Sequence, residues 1–163
     1  MSDVLLVIDL QNGICKGTPE IYNFESVIKI VNQRIKEYRE ANKPIVFIQH
    51  NDEDLVAGSD NWKLVSDLDF LNNDITIQKT SPNSFFKTNL KQLLDRFGTS
   101  SLEICGAQVE YCVDTTIKIA HGLGYNVQVK DGSVTTMDND FMTASETIRF
   151  YKKIWNHRFA RII

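Results

Sequence analysis

Three side chains of different chemistry stand where apolar runs give out. Asp9 follows VLLVI, Lys79 closes DITIQK, and Cys112 comes shortly after SLEICG, where an amphipathic stretch begins. A thiol, a carboxylate and an ammonium make a complete set for nucleophilic catalysis. The sulfur attacks, the carboxylate takes its proton, and the ammonium steadies developing negative charge. A helix start favours such a thiol, because first-turn N–H groups and the helix dipole stabilise the thiolate and lower its pKa from roughly 8.5. The same N–H groups can donate to an oxyanion. Taken singly, each residue has a plainer reading: Asp9 as a turn carboxylate, Lys79 as a solvated amine, Cys112 as a small core hydrophobe. Gln11, two residues past Asp9, is either a polar pocket wall or a turn residue. Burial would raise the Asp9 pKa and Lys79 would lower it, which leaves the balance open at this stage.

The elements that must position these residues alternate along the chain. DVLLVID is nearly all apolar, as expected of a strand covered on both faces. Asn23 can cap a helix that puts Val27, Ile30, Val31, Ile35 and Tyr38 on one side. Pro44 ends that helix, and IVFIQH follows as a second strand. DITIQK is a third strand, and Leu90, Leu93, Leu94 and Phe97 mark a helix stopped by Gly98. SLEICG is a fourth strand, and the helix bearing Val113, Ile117 and Ala120 runs to the Gly122–Gly124 region. NVQVKDG is a fifth strand. Asp138 or Asn139 can cap a helix through about Tyr151, and FARII is a short sixth strand. Strands alternating with helices predict a three-layer α/β/α fold with a mainly parallel six-stranded sheet. In such sheets ligands bind beyond the carboxyl ends of the strands, which is where Asp9, Lys79 and Cys112 fall. With no repeat, linker or low-complexity tract, a single domain over residues 1–163 is expected.

Composition removes several function classes. Net charge is −3 with Lys and Arg scattered, so no basic stripe is available for nucleic acid. The first apolar run is too short for a membrane span or a signal-peptide core, and a cytoplasmic protein is expected. Cys15, Cys105 and Cys112 cannot all pair and show no CxxC spacing; Cys105 lies inside a strand and Cys15 in a loop, and both read as structural thiols. A phosphatase with an aspartyl nucleophile after its first strand wants a second Asp where this chain has Gln11. A flavodoxin-like binding domain wants a phosphate loop, and DLQNGICKGTPE has neither the P-loop nor the dinucleotide spacing.

The segments VIDLQNG, IQKTSPNSFFKT and CGAQVEYCVDTTIKIAHGLGYNV resemble the isochorismatase-like cysteine hydrolases over nearly the whole chain. The resemblance implies that Asp9, Lys79 and Cys112 form a catalytic triad. It also implies a cis peptide joining Gln108 to Val109, with the N–H groups of Gln108 and Cys112 as the oxyanion hole. The implied activity is hydrolysis of a small amide, imide or carbamoyl compound through a thioester; vinyl ether hydrolysis of the isochorismatase type is the alternative. Gln11, His50, Trp62, Phe85 and Tyr111 are candidates to bind substrate. Family members with a metal hold it through an Asp and several His residues after the second strand. Here His50 stands with only Asp52 and Asp54, so no metal and no cofactor is expected. The implied partners are a small-molecule substrate and other copies of the chain, as a homodimer or larger homo-oligomer, with WNHRFARII a possible interface or core segment.

Overall fold

The computed structural model describes residues 1–163. Six strands form a parallel sheet: β1 (Val4–Ile8), β2 (Ile45–His50), β3 (Ile75–Lys79), β4 (Ser101–Ala107), β5 (Asn126–Val129) and β7 (Arg161–Ile162), in the order β3-β2-β1-β4-β5-β7. These are the six expected from the sequence. A seventh, β6 (Val134–Thr135), pairs with the end of β4, Gly106 opposite Val134 and Ala107 opposite Thr135. Two residues give no alternation to read, so the sequence pattern could not announce it.

The helices are α1 (Asn12–Cys15), α2 (Phe24–Glu40), α3 (Leu90–Arg96), α4 (Asp114–Gly122) and α5 (Ala144–Trp155). Because strand side chains alternate, β1 serves two cores at once. Leu5 and Val7 pack with α2 through Val27, Val31, Ile35 and Tyr38. Val4, Leu6 and Ile8 pack with α3, α4 and α5 through Leu90, Leu94, Ile117, Ala120 and Trp155. This is the three-layer arrangement, and all five residues of β1 are fully buried.

Two caps differ from expectation. Asn23 adopts a left-handed conformation at φ 53° and makes no side-chain cap. Helix α5 begins six residues after Asp138, where Thr143 and Glu146 form a reciprocal capping box; Asp138 still accepts the Ala144 N–H at 2.7 Å. The tail that could have served an interface is largely spent inward: Trp155 and Ala160 are buried, and Phe159 and Ile162 pack against the same core. No helix is long and apolar enough to cross a membrane.

Candidate active site

The sheet order reverses between β1 and β4, which places a crevice beyond their carboxyl ends. Asp9 is the first residue past β1. Its backbone is left-handed at φ 50°, an unusual conformation for a non-glycine residue and one concentrated at functional positions. His50 ends β2 and Lys79 ends β3, directly paired in register. β4 approaches β1 so closely at Gly106 that a Cβ there would lie 2.0 Å from the Ile8 carbonyl oxygen. Only glycine, at φ 120°, allows that approach.

Beyond β4 the chain enters a π-helical turn, Val109–Val113, before α4. The Val113 N–H reaches the Gln108 carbonyl at 3.2 Å, five residues back. Such wide turns concentrate at functional sites. Cys112 is therefore the fourth residue of an opening turn. The cis peptide lies between Ala107 and Gln108, one bond earlier than Gln108–Val109. Ala107 still pairs with Thr135, so the chain leaves the sheet at that bond. The Gln108 N–H donates to no acceptor within the protein.

The Lys79 ammonium is the hub of the site. It sits 2.7 Å from Asp9 Oδ2, 3.0 Å from His50 Nδ1 and 3.1 Å from Cys112 Sγ, to which it donates. Asp9 is fully buried and Lys79 only 2% exposed. Asp9 Oδ2 is held by the Lys79 ammonium, and the carboxylate faces the Cys112 thiol, where it is placed to take a proton. Burial raises the Asp9 pKa above its usual value, overcoming the opposing Lys79 charge. Burial also pushes the Cys112 thiol up to about 12, reinforced by the Asp9 charge and opposed by Lys79. The lowered thiol pKa expected at a helix start is thus corrected: desolvation and the facing carboxylate outweigh the turn. His50 is driven the other way, towards the neutral form, by burial and then by Lys79. Its Nε2 lies 3.3 Å from Asp52 Oδ2, so the ring accepts from Lys79 and donates to Asp52.

A cleft of about 260 Å³ opens on these groups, lined by Asp9, His50, Gln108, Tyr111 and Cys112. Ile14, Asp52, Leu55 and Pro82 complete it. Tyr111 stands at the surface, 55% exposed. Three of the expected substrate contacts lie elsewhere. Gln11 is fully buried, its amide donating to the His50 and Trp62 carbonyls and accepting the His50 N–H at 2.7 Å. It braces β2 and the following loop. Trp62 faces a separate hollow with Gln49, Leu64 and Phe70. Phe85 stacks on Tyr125 and packs against the core. Ile14, Leu55 and Pro82 escaped the sequence reading because apolar loop residues look like ordinary packing. Asp52 was visible only as a weak metal ligand.

Donor atoms of Asp9, His50 and Cys112 lie within 4.8 Å of one another, close enough to hold a cation. The Lys79 ammonium already contacts all three. Asp52 Oδ1 accepts the N–H groups of Asp54 and Leu55, and its other oxygen faces His50. The donors after β2 are thus committed to protein partners, and one imidazole with one carboxylate does not fit a transition-metal site.

Comparison with known proteins places this geometry among relatives. The sequence matches the Isochorismatase domain family over residues 3–160. The crystal structure of an isochorismatase family protein superposes with a TM-score of 0.95 at 43% identity, covering 98% of this chain and 96% of the other. The secreted isochorismatase effector Isc1 of Verticillium dahliae is 26% identical over 90% of this chain and 79% of its own length. Nicotinamidase 3 of Arabidopsis thaliana is 22% identical over 86% of this chain and 77% of its own.

Proposed function

The chain belongs to the isochorismatase family of hydrolases, and on that premise we propose that it hydrolyses a small amide through a thioester on Cys112. The observation that carries this reading is the single ammonium in contact with both the Asp9 carboxylate and the Cys112 sulfur at the floor of an open cleft. A nicotinamidase among the relatives supports amide chemistry.

The resting sulfur is a thiol, given a pKa pushed up to about 12, so attack requires a base. Asp9 is that base, and burial strengthens it for the task. As the S–H proton moves to Asp9, the sulfur bonds to the amide carbon and the carbonyl π electrons collect on oxygen. The Gln108 and Cys112 N–H groups hold that oxyanion. The C–N bond then breaks, and Asp9 returns its proton to the leaving amine. The same carboxylate next takes a proton from water, whose oxygen adds to the thioester carbon. The C–S bond breaks, Asp9 returns that proton to the sulfur, and the acid leaves with the Cys112 thiol restored. The Lys79 ammonium contacts both Asp9 and Cys112, and His50, ordered by Asp52, holds it in place.

Ammonia release from a panel of small amides, read with intact mass spectrometry of enzyme quenched in turnover, tests the proposal. Substrate-dependent acyl mass on Cys112, absent with Cys112→Ala, is the expected result. Full turnover by Cys112→Ala excludes the thioester.

A further inference from the structure

The charges around the cleft are one-sided. Its ionisable lining groups are Asp9, Asp52, His50, Tyr111 and Cys112, and no Lys or Arg lines it. The Lys79 ammonium lies behind the lining, committed to Asp9, His50 and Cys112. Burial and Lys79 drive His50 towards its neutral form, and no Lys or Arg pairs with Asp52.

The loop that supplies Asp52 and Leu55 to the wall extends this asymmetry. Residues 51–63 carry Asp52, Glu53, Asp54 and Asp60 against one cation, Lys63, which pairs with Asp60 at 2.6 Å. Glu53 and Asp54 are exposed and make no ion pair. The other loop reaching the cleft, through Pro82, has a single charge in residues 80–88. That is Lys87, whose ammonium lies over the Phe86 ring. On the π-helical turn, Glu110 adds another acid, bonded to the Thr136 hydroxyl. The apolar part of the wall is Ile14, Leu55 and Pro82. Inside, Asp9 Oδ1 has no hydrogen-bond partner and can receive a substrate N–H.

Resting on the amide-hydrolase reading, we propose that the cleft selects small amides whose far end is cationic on a short apolar stem, and turns away amides bearing a carboxylate. The amide enters first, towards Cys112 and Asp9. The stem lies along Ile14, Leu55 and Pro82, and the cationic end meets Asp52 and the acidic loop. An anionic end would face the same carboxylates in a partly desolvated mouth with no cation to offset them. One such charge in a half-exposed site discriminates by about five- to tenfold between substrates of equal shape.

Three amides of matched length test this: 4-(trimethylammonio)butanamide, its neutral isostere 5,5-dimethylhexanamide, and anionic glutaramate. Ammonia release gives kcat/KM for each. The expected order is cationic above neutral above anionic, with about tenfold at each step, shrinking in about 0.5 M salt. Asp52→Asn removes the charge but keeps an Oδ1 to accept from Asp54 and Leu55, so the loop turn survives. It should compress the cationic-to-anionic ratio by about tenfold. Glutaramate turned over as fast as the cationic amide, or a ratio unchanged in Asp52→Asn, overturns the charge selection alone. Ammonia from none of the three overturns both this proposal and the amide reading beneath it.

Discussion

At the residue scale the chemistry is a matter of one ammonium shared among three partners, and its separate effects can be pulled apart. Asp9 both raises the Cys112 pKa through its charge and, in the proposed mechanism, removes the thiol proton. Asp9→Asn therefore moves two measurements in opposite directions. Turnover should fall by about 10²–10⁴-fold, the usual worth of a general base. Alkylation of Cys112 by iodoacetamide should become faster, because the thiolate then faces Lys79 without an opposing carboxylate. Peptide-level mass spectrometry reads the second effect, with buried Cys15 and Cys105 as internal controls. The pH profile follows from the same group. Asp9 must be ionised to act as base, and its pKa is raised by burial, so kcat/KM should be lost as pH falls through a value above the ordinary carboxylate range. In the sequence Asp9 and Lys79 were legible as residues closing apolar runs, and Cys112 as a thiol at the start of the amphipathic stretch after β4. The ionisation states were not, since they depend on a burial that no local pattern reveals. Gln11 shows the same limit: its amide is consumed by the backbone of a strand and loop about 40–50 residues away.

At the element scale the site depends on how near β4 comes to β1. Gly106 is opposite Ile8 in the ladder, one residue before Asp9, and any Cβ there meets the Ile8 backbone. Gly106→Ala should destabilise the fold by about 4 kcal/mol or more, combining a backbone clash with a forbidden φ. Gly98→Ala is the comparison. Its φ is also positive, at 63°, but nothing lies within 4 Å of the added carbon, so a loss of about 1 kcal/mol is expected. Urea unfolding of the two variants separates crowding from conformation, and equal losses would contradict the close approach described. The central strands β1, β2 and β4 could be read from apolar runs because they are covered on both faces, and the edge strand β3 from its alternation. The four-residue α1 and two-residue β6 could not, being too short to repeat a helical or strand period. The π-helical turn was equally hidden: the sequence marks where a helix begins there but not how widely it winds.

Across the whole molecule, a second buried charge network lies in the opposite half of β4 from the crevice. Glu103 is fully buried, its two oxygens held by Arg34 of α2 at 2.6 and 2.7 Å. Tyr38 and Gln128 donate to Oε2 as well, at 3.2 and 2.6 Å. One carboxylate thus ties α2, β4 and β5 together across the layer, while Asp114, accepting from the buried Trp155 indole at 2.8 Å, ties α4 to α5 on the other face. Removing Glu103 leaves the largely buried Arg34 guanidinium with Glu37 as its one remaining carboxylate and strands two further donors. A loss of about 3–5 kcal/mol is expected for Glu103→Ala. None of these groups lines the cleft or touches Lys79, so folded enzyme assayed well below its melting temperature should keep kcat/KM within about twofold, on the additivity that holds between distant sites. Denaturant midpoint and turnover measured on the same preparation decide it. A variant of unchanged stability would show that the network contributes no net folding energy. One of normal stability but lost turnover would mean that β4 transmits its packing to the Gly106 end and that the two halves of the strand are not independent.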